Sequence, residues 1–332
     1  MSSQMKVTGI VAEYNPFHNG HKYMVEKCRE NGATHVVAVM SGNFVQRGSV
    51  AIMDKRARAA AALGSGVDLV VELPVCFAVS TAELFARGGV SVLNALGCVD
   101  ALGFGAECDD AELLSKAADA VCDIRVHEII KRELEGGISY PRARENAVLE
   151  VFGEEISAVL SQPNNILGVE YIKALKGLGS DIKPEPVLRQ GAAHDSLKEN
   201  GEFASASALR ILLERGDEAA YEFMPRASVK EFERLKAVGR APACFDESER
   251  AILSRLRMLS IADIKNAPDV SEGLENRIYN AIQTATSLEE LYDIIKTKRY
   301  THSRIRRIIT ALYLGIKPED AKLQVPYIRV LG

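Results

Sequence analysis

Residues 7–21 read VTGIVAEYNPFHNGH, and this stretch decides the fold. Its first half, 7–13, is an apolar run with the length of a buried strand, and a helical segment over 20–31 follows almost at once. A strand that turns into a helix through His18-Asn19-Gly20-His21 brings free backbone N–H groups, a helix dipole and two imidazoles to one point. This arrangement favours a polyphosphate ligand, although His-x-x-His alone is also compatible with a metal site or with surface histidines.

A second stretch, Ser205-Ala206-Ser207-Ala208-Leu209-Arg210, begins another predicted helix. Ser205 is a natural N-cap, and its hydroxyl and the free amides of the first turn suit β- and γ-phosphates. Ser207 and Arg210 follow, and a guanidinium there can clamp phosphate oxygens. Alone, the pattern is more often an ordinary helix cap. Paired with the first stretch, it resembles the signature of the HxGH nucleotidyltransferase superfamily, with Ala206 at the position of that signature's second serine and Ser207 at its threonine.

Apolar runs alternate with helical segments through the first half of the chain. This alternation predicts an α/β fold with a Rossmann-like, doubly wound parallel sheet of the nucleotidyltransferase type. Ligands of such sheets bind at the carboxyl ends of the strands. Strands are predicted over 7–13, 35–40, 67–73, 99–104 and 185–189, and helices over 20–31, 54–64, about 80–96 and 166–178.

Two regions are predicted along the chain. The first, 1–225, is the Rossmann-like nucleotide-binding domain with a helical insertion near 110–180. The second, 226–332, is α-helical, because its short apolar-periodic segments are separated by glycine or proline. The apolar run 327–332 ends the chain without a polar tail. We expect that it packs against the protein or that a C-terminal portion is missing.

The composition is that of an ordinary globular protein. Of its 332 residues, 47% are hydrophobic and 26% charged, and the formal net charge is −4, so nucleic acid would need a local basic patch. No transmembrane run or secretory signal is visible. The six cysteines form no C-x-x-C pair, which favours reduced thiols in a cytoplasmic protein. We expect neither a membrane nor DNA as a partner, and the oligomeric state stays open.

The loop SGNFVQRG over 41–48 is a candidate phosphate or substrate loop. It is polar and bounded by glycine, and it follows a predicted strand, as binding loops of such sheets do. Its candidate residues are Ser41, Gly42, Asn43 and Arg47. Lys55, Arg56 and Arg58 begin the next helix, where they either neutralise phosphates or form a solvated helix face.

Other strand ends and helix starts carry further candidates. Gly105 lets an adenine or ribose approach the backbone, or it is a simple turn residue. Asn164 and Asn165 precede a helix, so at least one of them is explained as a cap. Arg189 and Gln190 follow the strand over 185–189 and would reach the ligand edge.

Residues 296–307 read KTKRYTHSRIRR and form a basic cluster in an otherwise acidic chain. Ser303 is the expected cap of a helix through Leu314, with one apolar face and its arginines toward solvent. Basic residues interleaved with an aromatic favour contact with an RNA backbone. The candidate RNA-binding residues are Lys296, Lys298, Arg299, Tyr300, Arg304, Arg306 and Arg307.

Taken together, several stretches resemble the bacterial tRNA(Met) cytidine acetate ligase family. These are EYNPFHNGH at 13–21, MSGNFVQRG at 40–48, GFGAE at 103–107, PNNILG at 163–168 and KRYT at 298–301. The resemblance covers essentially the whole chain and implies N4-acetylation of the wobble cytidine of elongator tRNA(Met) from acetate and ATP. It implies ATP binding by 1–225 and tRNA binding by 226–332. Family members usually continue further, so it also implies a C-terminal truncation that would weaken tRNA affinity.

The resemblance implies most of the candidate ATP-binding residues, to which the second motif adds Ser205. The full set is Val11, Ala12, Glu13, Tyr14, Asn15, Pro16, Phe17, His18, Asn19, Gly20, His21, Lys22, Tyr23, Met24, Gly105, one of Asn164 and Asn165, Arg189, Gln190 and Ser205.

The expected chemistry is formation of acetyl-adenylate, after which the cytidine amine displaces AMP. His18 and His21 would stabilise the charge at the α-phosphate, while Ser207 and Arg210 hold the leaving pyrophosphate. Mg²⁺ would accompany ATP, although no carboxylate cluster dedicates a site to it. A small-molecule adenylyltransferase without an RNA substrate, a non-catalytic nucleotide- or RNA-binding protein, and acetyl transfer from acetyl-CoA are the alternatives.

Overall fold

The centre of the protein is a parallel β-sheet, as the alternating pattern predicts. The computed structural model describes residues 5–189, 203–271, 273–297, 300–322 and 328–332. Its strands are β1 (Val7–Ala12), β2 (His35–Ser41), β3 (Phe44–Val45), β4 (Ser49–Val50), β5 (Leu69–Leu73), β6 (Ala101–Ala106) and β7 (Lys183–Leu188). The parallel sheet has the order β5-β2-β1-β6-β7, and β3 and β4 form a separate antiparallel hairpin. The predicted fold class is confirmed.

The strand order reverses at β1, whose neighbours β2 and β6 lead to opposite edges of the sheet. The crevice outside the carboxyl ends of β1 and β6 is therefore the switch point at which doubly wound sheets bind ligands. The register places Ile10 beside Gly103, so the ends of these two strands lie together.

Helices cover both faces of the sheet because the strand residues are apolar on both faces. In β2, Val36, Ala38 and Met40 pack with α1 and α2, whereas Val37 and Val39 pack with α4 and α9. The helices are α1 (Asn19–Glu30), α2 (Lys55–Leu63), α3 (Val75–Ala78), α4 (Ala82–Leu96), α5 (Ala111–Ala120), α6 (Ile124–Glu135), α7 (Tyr140–Phe152), α8 (Glu154–Val159) and α9 (Pro163–Gly177).

The remainder of the described chain is helical, as the sequence predicts. It comprises α10 (Ala206–Glu214), α11 (Arg226–Lys236), α12 (Glu249–Arg257), α13 (Ile261–Lys265), α14 (Leu274–Thr284), α15 (Leu288–Ile295) and α16 (His302–Leu314). Helices α10 and α11 share a core with α2, which brings the start of α10 to the ligand edge of the sheet. Helices α12, α14, α15 and α16 enclose a second core around Leu256, Ile278, Leu291 and Ile309. The domain boundary at 225 stays a prediction.

Some local expectations need correction. The segment predicted as a loop contains the hairpin β3–β4, whose two-residue strands are too short to show a period of two. Helix α16 is capped by Thr301, whose Oγ1 accepts from Arg304 N at 3.3 Å, so Ser303 is not its cap. The described part of the apolar run near the last residue packs against the protein, which is one of the two outcomes expected for it: it pairs antiparallel with the edge strand β5, and Val70 N donates to Gly332 O at 2.7 Å.

Candidate functional site

A cavity of about 460 Å³ opens at the switch point, beyond the carboxyl ends of β1 and β6. The segment that follows β1, the β3–β4 turn, the ends of β6 and β7 and the starts of α9 and α10 all contribute to its wall. Predicted site residues on this wall are Val11, Ala12, Glu13, Tyr14, Asn15, His18, Gly20, His21, Tyr23, Met24, Arg47, Gly105, Asn164, Arg189, Ser205, Ser207 and Arg210. The two sequence motifs therefore meet in one cavity.

His18 and His21 stack on each other at the start of α1, with ring centroids 3.7 Å apart. His18 is the N-cap, and its Nδ1 accepts from Gly20 N at 3.1 Å. His21 Nδ1 accepts from His18 N at 3.3 Å, which completes a capping box built from imidazoles. Because both Nδ1 atoms are acceptors, the proton of each neutral ring is on Nε2. The capping box thus fixes which nitrogen of each ring donates.

Both imidazoles are neutral at pH 7. Burial lowers the pKa of His18 to about 3, with help from the positive charges of Arg189 and Arg210. Burial also holds the pKa of His21 well below its usual range, aided by His18 and Arg189. The rings retain some accessible surface, and both line the cavity. Neutral imidazoles can donate hydrogen bonds from Nε2 to phosphate oxygens without adding a fixed charge.

The lowered histidine pKa values predict a loss of stability in mild acid. Below the ordinary pKa of about 6.5, the unfolded chain binds protons at these rings and the folded chain does not. The free energy of unfolding should therefore fall from about pH 6.5 downward, by up to about 1.4 kcal/mol per pH unit for each histidine. Urea unfolding at a series of pH values measures this slope. His18→Asn, which removes one ring, should make it shallower, and an unchanged slope would contradict the assignment.

The α10 motif supplies the cationic side of the cavity. Ser205 caps α10, with its Oγ accepting from Ala208 N at 3.2 Å, and its O–H remains a donor group on the cavity wall. Arg210 donates to Asn15 O at 2.8 Å and to Ser207 Oγ at 3.1 Å. Burial lowers the pKa of Arg210, Glu13 opposes this, and the positive charge of Arg47 lowers it further. Two guanidiniums that line one cavity form a site for a polyanion.

The loop 41–48 contributes differently from expectation. Arg47 and Gln46 reach the cavity from the β3–β4 turn, and Gln46 N donates to Glu13 Oε1 at 2.7 Å. Ser41, Gly42 and Asn43 are not on its wall. Ser41 is fully buried, and Asn43 Oδ1 accepts from the backbone N of Lys55 at 2.9 Å at the start of α2. A Cβ at Gly42 would lie 2.6 Å from Glu72 Oε1, which explains that glycine by packing.

Arg58 is a supporting residue whose role the sequence did not reveal. It is fully buried, and its guanidinium donates to the backbone oxygens of Met53, Glu13, Ser41 and Gly42. Arg58 thereby connects, through hydrogen bonds, Glu13 in the segment after β1 with Ser41 and Gly42 at the end of β2. Neither of the two expected roles, phosphate contact or a solvated helix face, applies to this arginine.

The two asparagines in the first turn of α9 have separate roles. Asn165 is buried, and its Oδ1 accepts from Glu107 N at 2.9 Å and Cys108 N at 3.0 Å, so it holds the segment after β6. Asn164 is on the cavity wall, where its Oδ1 accepts from Arg189 Nη1 at 3.4 Å. Glu107 accepts from both backbone amides and caps α9. Asn164 is therefore the asparagine that faces the cavity, where its Nδ2 donates to Glu107 Oε1 at 2.6 Å.

The other described residues among the predicted ATP-binding set lie off the cavity wall. Phe17 is fully buried and packs on Tyr14, with ring centroids 4.7 Å apart. Pro16 is buried as well, Asn19 Nδ2 donates to Glu222 O at 3.2 Å, and Lys22 pairs with Glu26 at 3.5 Å. None of these four residues is on the cavity wall. Gln190 lies outside the described residues.

An apolar wall that the sequence patterns do not predict completes the cavity. Helices α4 and α9 supply Phe85, Leu167 and Tyr171, and β6 supplies Phe104. Their spacing is that of ordinary core residues, so periodicity alone could not separate them from the core. Burial raises the pKa of Tyr171, and the nearby charge of Glu13 adds to this, which places a neutral phenol beside the only carboxylate on the described wall.

The basic cluster is less exposed than predicted. Tyr300 is only 8% exposed and belongs to the core of the C-terminal helices, so its ring is not presented to RNA. Arg304 and Arg307 face Asp269, each with an ion pair of 3.2 Å, rather than open solvent. Arg306 is exposed above the Tyr292 ring, and Lys296 is exposed too. Lys298 and Arg299 lie outside the described residues.

The described residues contain no group of three or more His, Cys, Asp or Glu side chains placed to hold a metal ion. Within the same residues, no helix combines the length and apolar character needed to cross a membrane.

Comparison with known proteins relates this cavity to a family. The family model "HIGH Nucleotidyl Transferase" matches residues 5–332. The tRNA(Met) cytidine acetate ligase of Caldanaerobacter subterraneus subsp. tengcongensis is 45% identical over 99% of this chain and 83% of its own length. The chain belongs to the tRNA(Met) cytidine acetate ligase family. The relative of the same name from Bacillus velezensis is 39% identical, again over 99% of this chain and 82% of its own length.

Solved structures of this ligase family have the same fold. The crystal structure of Thermotoga maritima TmcAL bound with alpha-thio ATP matches with a TM-score of 0.92 and 36% identity, covering 99% of this chain and 80% of that one. The apo form of the same protein matches with a TM-score of 0.93 and 38% identity, covering 99% of this chain and 81% of that one. The relation therefore extends through the cavity and the C-terminal helices alike.

Proposed function

We propose that this chain is an ATP-dependent ligase that joins acetate to the N4 amine of the wobble cytidine of elongator tRNA(Met). One observation carries the proposal: the neutral His18–His21 pair and the Arg210 guanidinium line one cavity at the switch point of the sheet. That geometry serves transfer at an α-phosphate. Relatives named for the acetate ligase reaction, and a solved relative bound with an ATP analogue, support the choice of substrates.

The first step is adenylation of acetate. A carboxylate oxygen attacks the α-phosphorus of ATP, the bond to the bridging oxygen breaks, and pyrophosphate leaves with that electron pair. His18 and His21 donate from Nε2 to the oxygens where charge develops, and their neutrality keeps both rings able to do so throughout the neutral range. Arg210, with Arg47 nearby, neutralises the departing pyrophosphate.

The second step transfers the acetyl group. The exocyclic amine of cytidine attacks the acetyl carbonyl carbon, the amine loses a proton, and AMP leaves with the electron pair of the acyl C–O bond. An aromatic amine is a weak nucleophile, which explains why the acid must be activated first. The base must be unstacked to enter the cavity, as bases in single-stranded loops can be. The exposed Arg306 and Lys296 are the described residues of the basic cluster that remain available to the RNA backbone.

Mg²⁺ fits this site only as a companion of ATP. Glu13 is the one carboxylate on the described cavity wall, and its Oε1 already accepts from Gln46 N. A bound Mg²⁺ would take most of its ligands from phosphate oxygens and water, as this ion prefers, and would neutralise phosphate charge. We place the reaction in the cytoplasm, where tRNA is found.

Exchange of labelled pyrophosphate into ATP tests the first step. We expect exchange that requires acetate, proceeds without tRNA and is lost in His21→Ala. Exchange that requires a phosphorylated cofactor precursor instead of acetate would replace the ligase proposal with a small-molecule adenylyltransferase. If neither compound supports exchange, the proposed adenylation step is wrong.

Substitution of Asn164 should weaken ATP binding, whereas substitution of Asn165 should lower stability. Asn164→Ala is expected to raise the KM for ATP roughly fivefold, with little change in stability, because it loses a cavity-wall contact worth about 1 kcal/mol. Asn165→Ala is expected to lower the free energy of unfolding by about 2 kcal/mol, because two backbone N–H groups lose their acceptor. Kinetics and urea unfolding of both variants measure this, and the reverse pattern would assign ATP to Asn165.

A further inference from the structure

The C-terminal helix α16 packs directly on the hairpin that carries Arg47. Thr310 Oγ1 donates to Gly48 O at 3.1 Å, and Thr310 is only 1% exposed. Gly48 has φ +71°, and a Cβ there would lie 2.4 Å from the backbone C of Arg306 and the backbone N of Arg307. The backbone of the hairpin and the backbone of α16 are therefore in close contact, at a position where only glycine fits.

The hairpin turn is held from its other side by the catalytic region. Gln46 N donates to Glu13 Oε1 at 2.7 Å, and Gly48 N donates to Val45 O at 2.9 Å. Arg47 lies between these two anchored residues and lines the mouth of the cavity. Its side chain is exposed, so the anchored backbone on each side limits where the guanidinium can lie.

The base of the hairpin is also packed against C-terminal residues. Phe44 lies 6.2 Å from Phe245, measured between ring centroids. It also packs on a small cluster that includes Val79, Ala311 and Ile316. The opposite face of α16, with Ile305 and Ile309, is buried in the C-terminal core. Helix α16 therefore contacts that core on one face and the Arg47 hairpin on the other.

We propose that Thr310 is a positioning residue for adenylation: by holding Gly48, it sets the Arg47 guanidinium at the phosphate side of the cavity. The inference rests on the proposed function, in which Arg47 acts with Arg210 on the departing pyrophosphate. It makes the C-terminal helices part of the ATP site itself, in addition to any contact they make with RNA. Adenylation should depend on them even when no tRNA is present.

Acetate-dependent pyrophosphate exchange without tRNA tests this positioning role. Thr310→Val keeps the shape of the side chain and removes the donor, and we expect it to lower kcat about tenfold with little change in the KM for acetate. Thr310→Ser restores the hydroxyl and should recover exchange to within about twofold. Thr284→Val is the matched control, because Thr284 is exposed and bonds only within α14. Thermal unfolding confirms that each variant is folded at the assay temperature.

A double-mutant comparison shows whether Thr310 acts through Arg47. Arg47→Ala should be slow in exchange, and adding Thr310→Val to it should cause no further loss. Full exchange activity in Thr310→Val would overturn the inference. The inference would also be overturned if Thr310→Val lowered the exchange rate of Arg47→Ala by the same factor as it lowers that of the wild type. The wild-type protein in the same assay tests the proposed function independently of Thr310. If the wild-type protein shows no acetate-dependent exchange, the proposed adenylation step itself is wrong.

Discussion

His21→Ala is expected to lower the rate of acetate-dependent pyrophosphate exchange by roughly 10²–10³-fold. The reason is the loss of an Nε2–H donor that the capping box holds toward the cavity and that burial keeps neutral. Most of the effect should fall on kcat, because the contact strengthens as charge develops at the α-phosphate. Initial rates at saturating ATP and acetate measure it.

His18→Asn separates the chemical role of the pair from its structural role. Asparagine is a good N-cap and can still accept from Gly20 N, so the free energy of unfolding at pH 7 should change by less than about 1 kcal/mol. The Nε2 donor is lost, so exchange should still fall strongly. His35→Ala is the control, because His35 is exposed at the start of β2 and lies off the cavity wall. A His18→Asn enzyme with wild-type rates would show that the ring serves only as a cap.

Arg58→Met is expected to lower the free energy of unfolding by about 3–5 kcal/mol. The substitution removes the donor of four backbone oxygens while keeping much of the buried apolar stem. Burial lowers the pKa of Arg58 to about 10, so the group is still charged at pH 7. Because Glu13 O is among the acceptors, the segment after β1 should loosen and exchange activity should fall in the protein that remains folded.

Urea unfolding of Arg58→Met and of the control Arg56→Met compares their free energies of unfolding. Arg56 lies on the same helix but is exposed, and its substitution should change the free energy of unfolding by no more than about 0.5 kcal/mol. Equal effects of the two variants would show that Arg58 contributes only as a generic surface charge. If Arg58→Met is destabilised but keeps full exchange activity, Arg58 contributes to stability and not to the geometry of the site.

The first strand, the HNGH turn and the start of α10 could be predicted because their signals are local. A strand-length apolar run, a histidine cap and a serine cap each depend on a few neighbouring residues. The sheet order then brings both motifs to one edge. The fold class and the centre of the cavity followed from these patterns alone.

Arg58 and Tyr300 show why the rest could not be predicted. In the alanine-rich helix α2, either face can be the buried one, and only the carbonyl groups of two other segments decide that Arg58 points inward. Tyr300 stands among basic residues, yet the helices around it place it in the C-terminal core. The apolar wall from α4 and α9 could not be predicted for the same reason. Apolar residues of distant segments form a ligand surface only after the segments pack together.

The most direct test of the account is mass spectrometry of AMP, pyrophosphate and the tRNA after reaction with ATP, tRNA(Met) and acetate labelled with heavy oxygen and deuterium. Attack of the carboxylate on the α-phosphorus predicts one heavy oxygen in AMP and none in pyrophosphate, with the deuterated acetyl group on a cytidine of the tRNA. Heavy oxygen in inorganic phosphate with ADP as the nucleotide product, or an acetyl group that arrives only from acetyl-CoA, would contradict it.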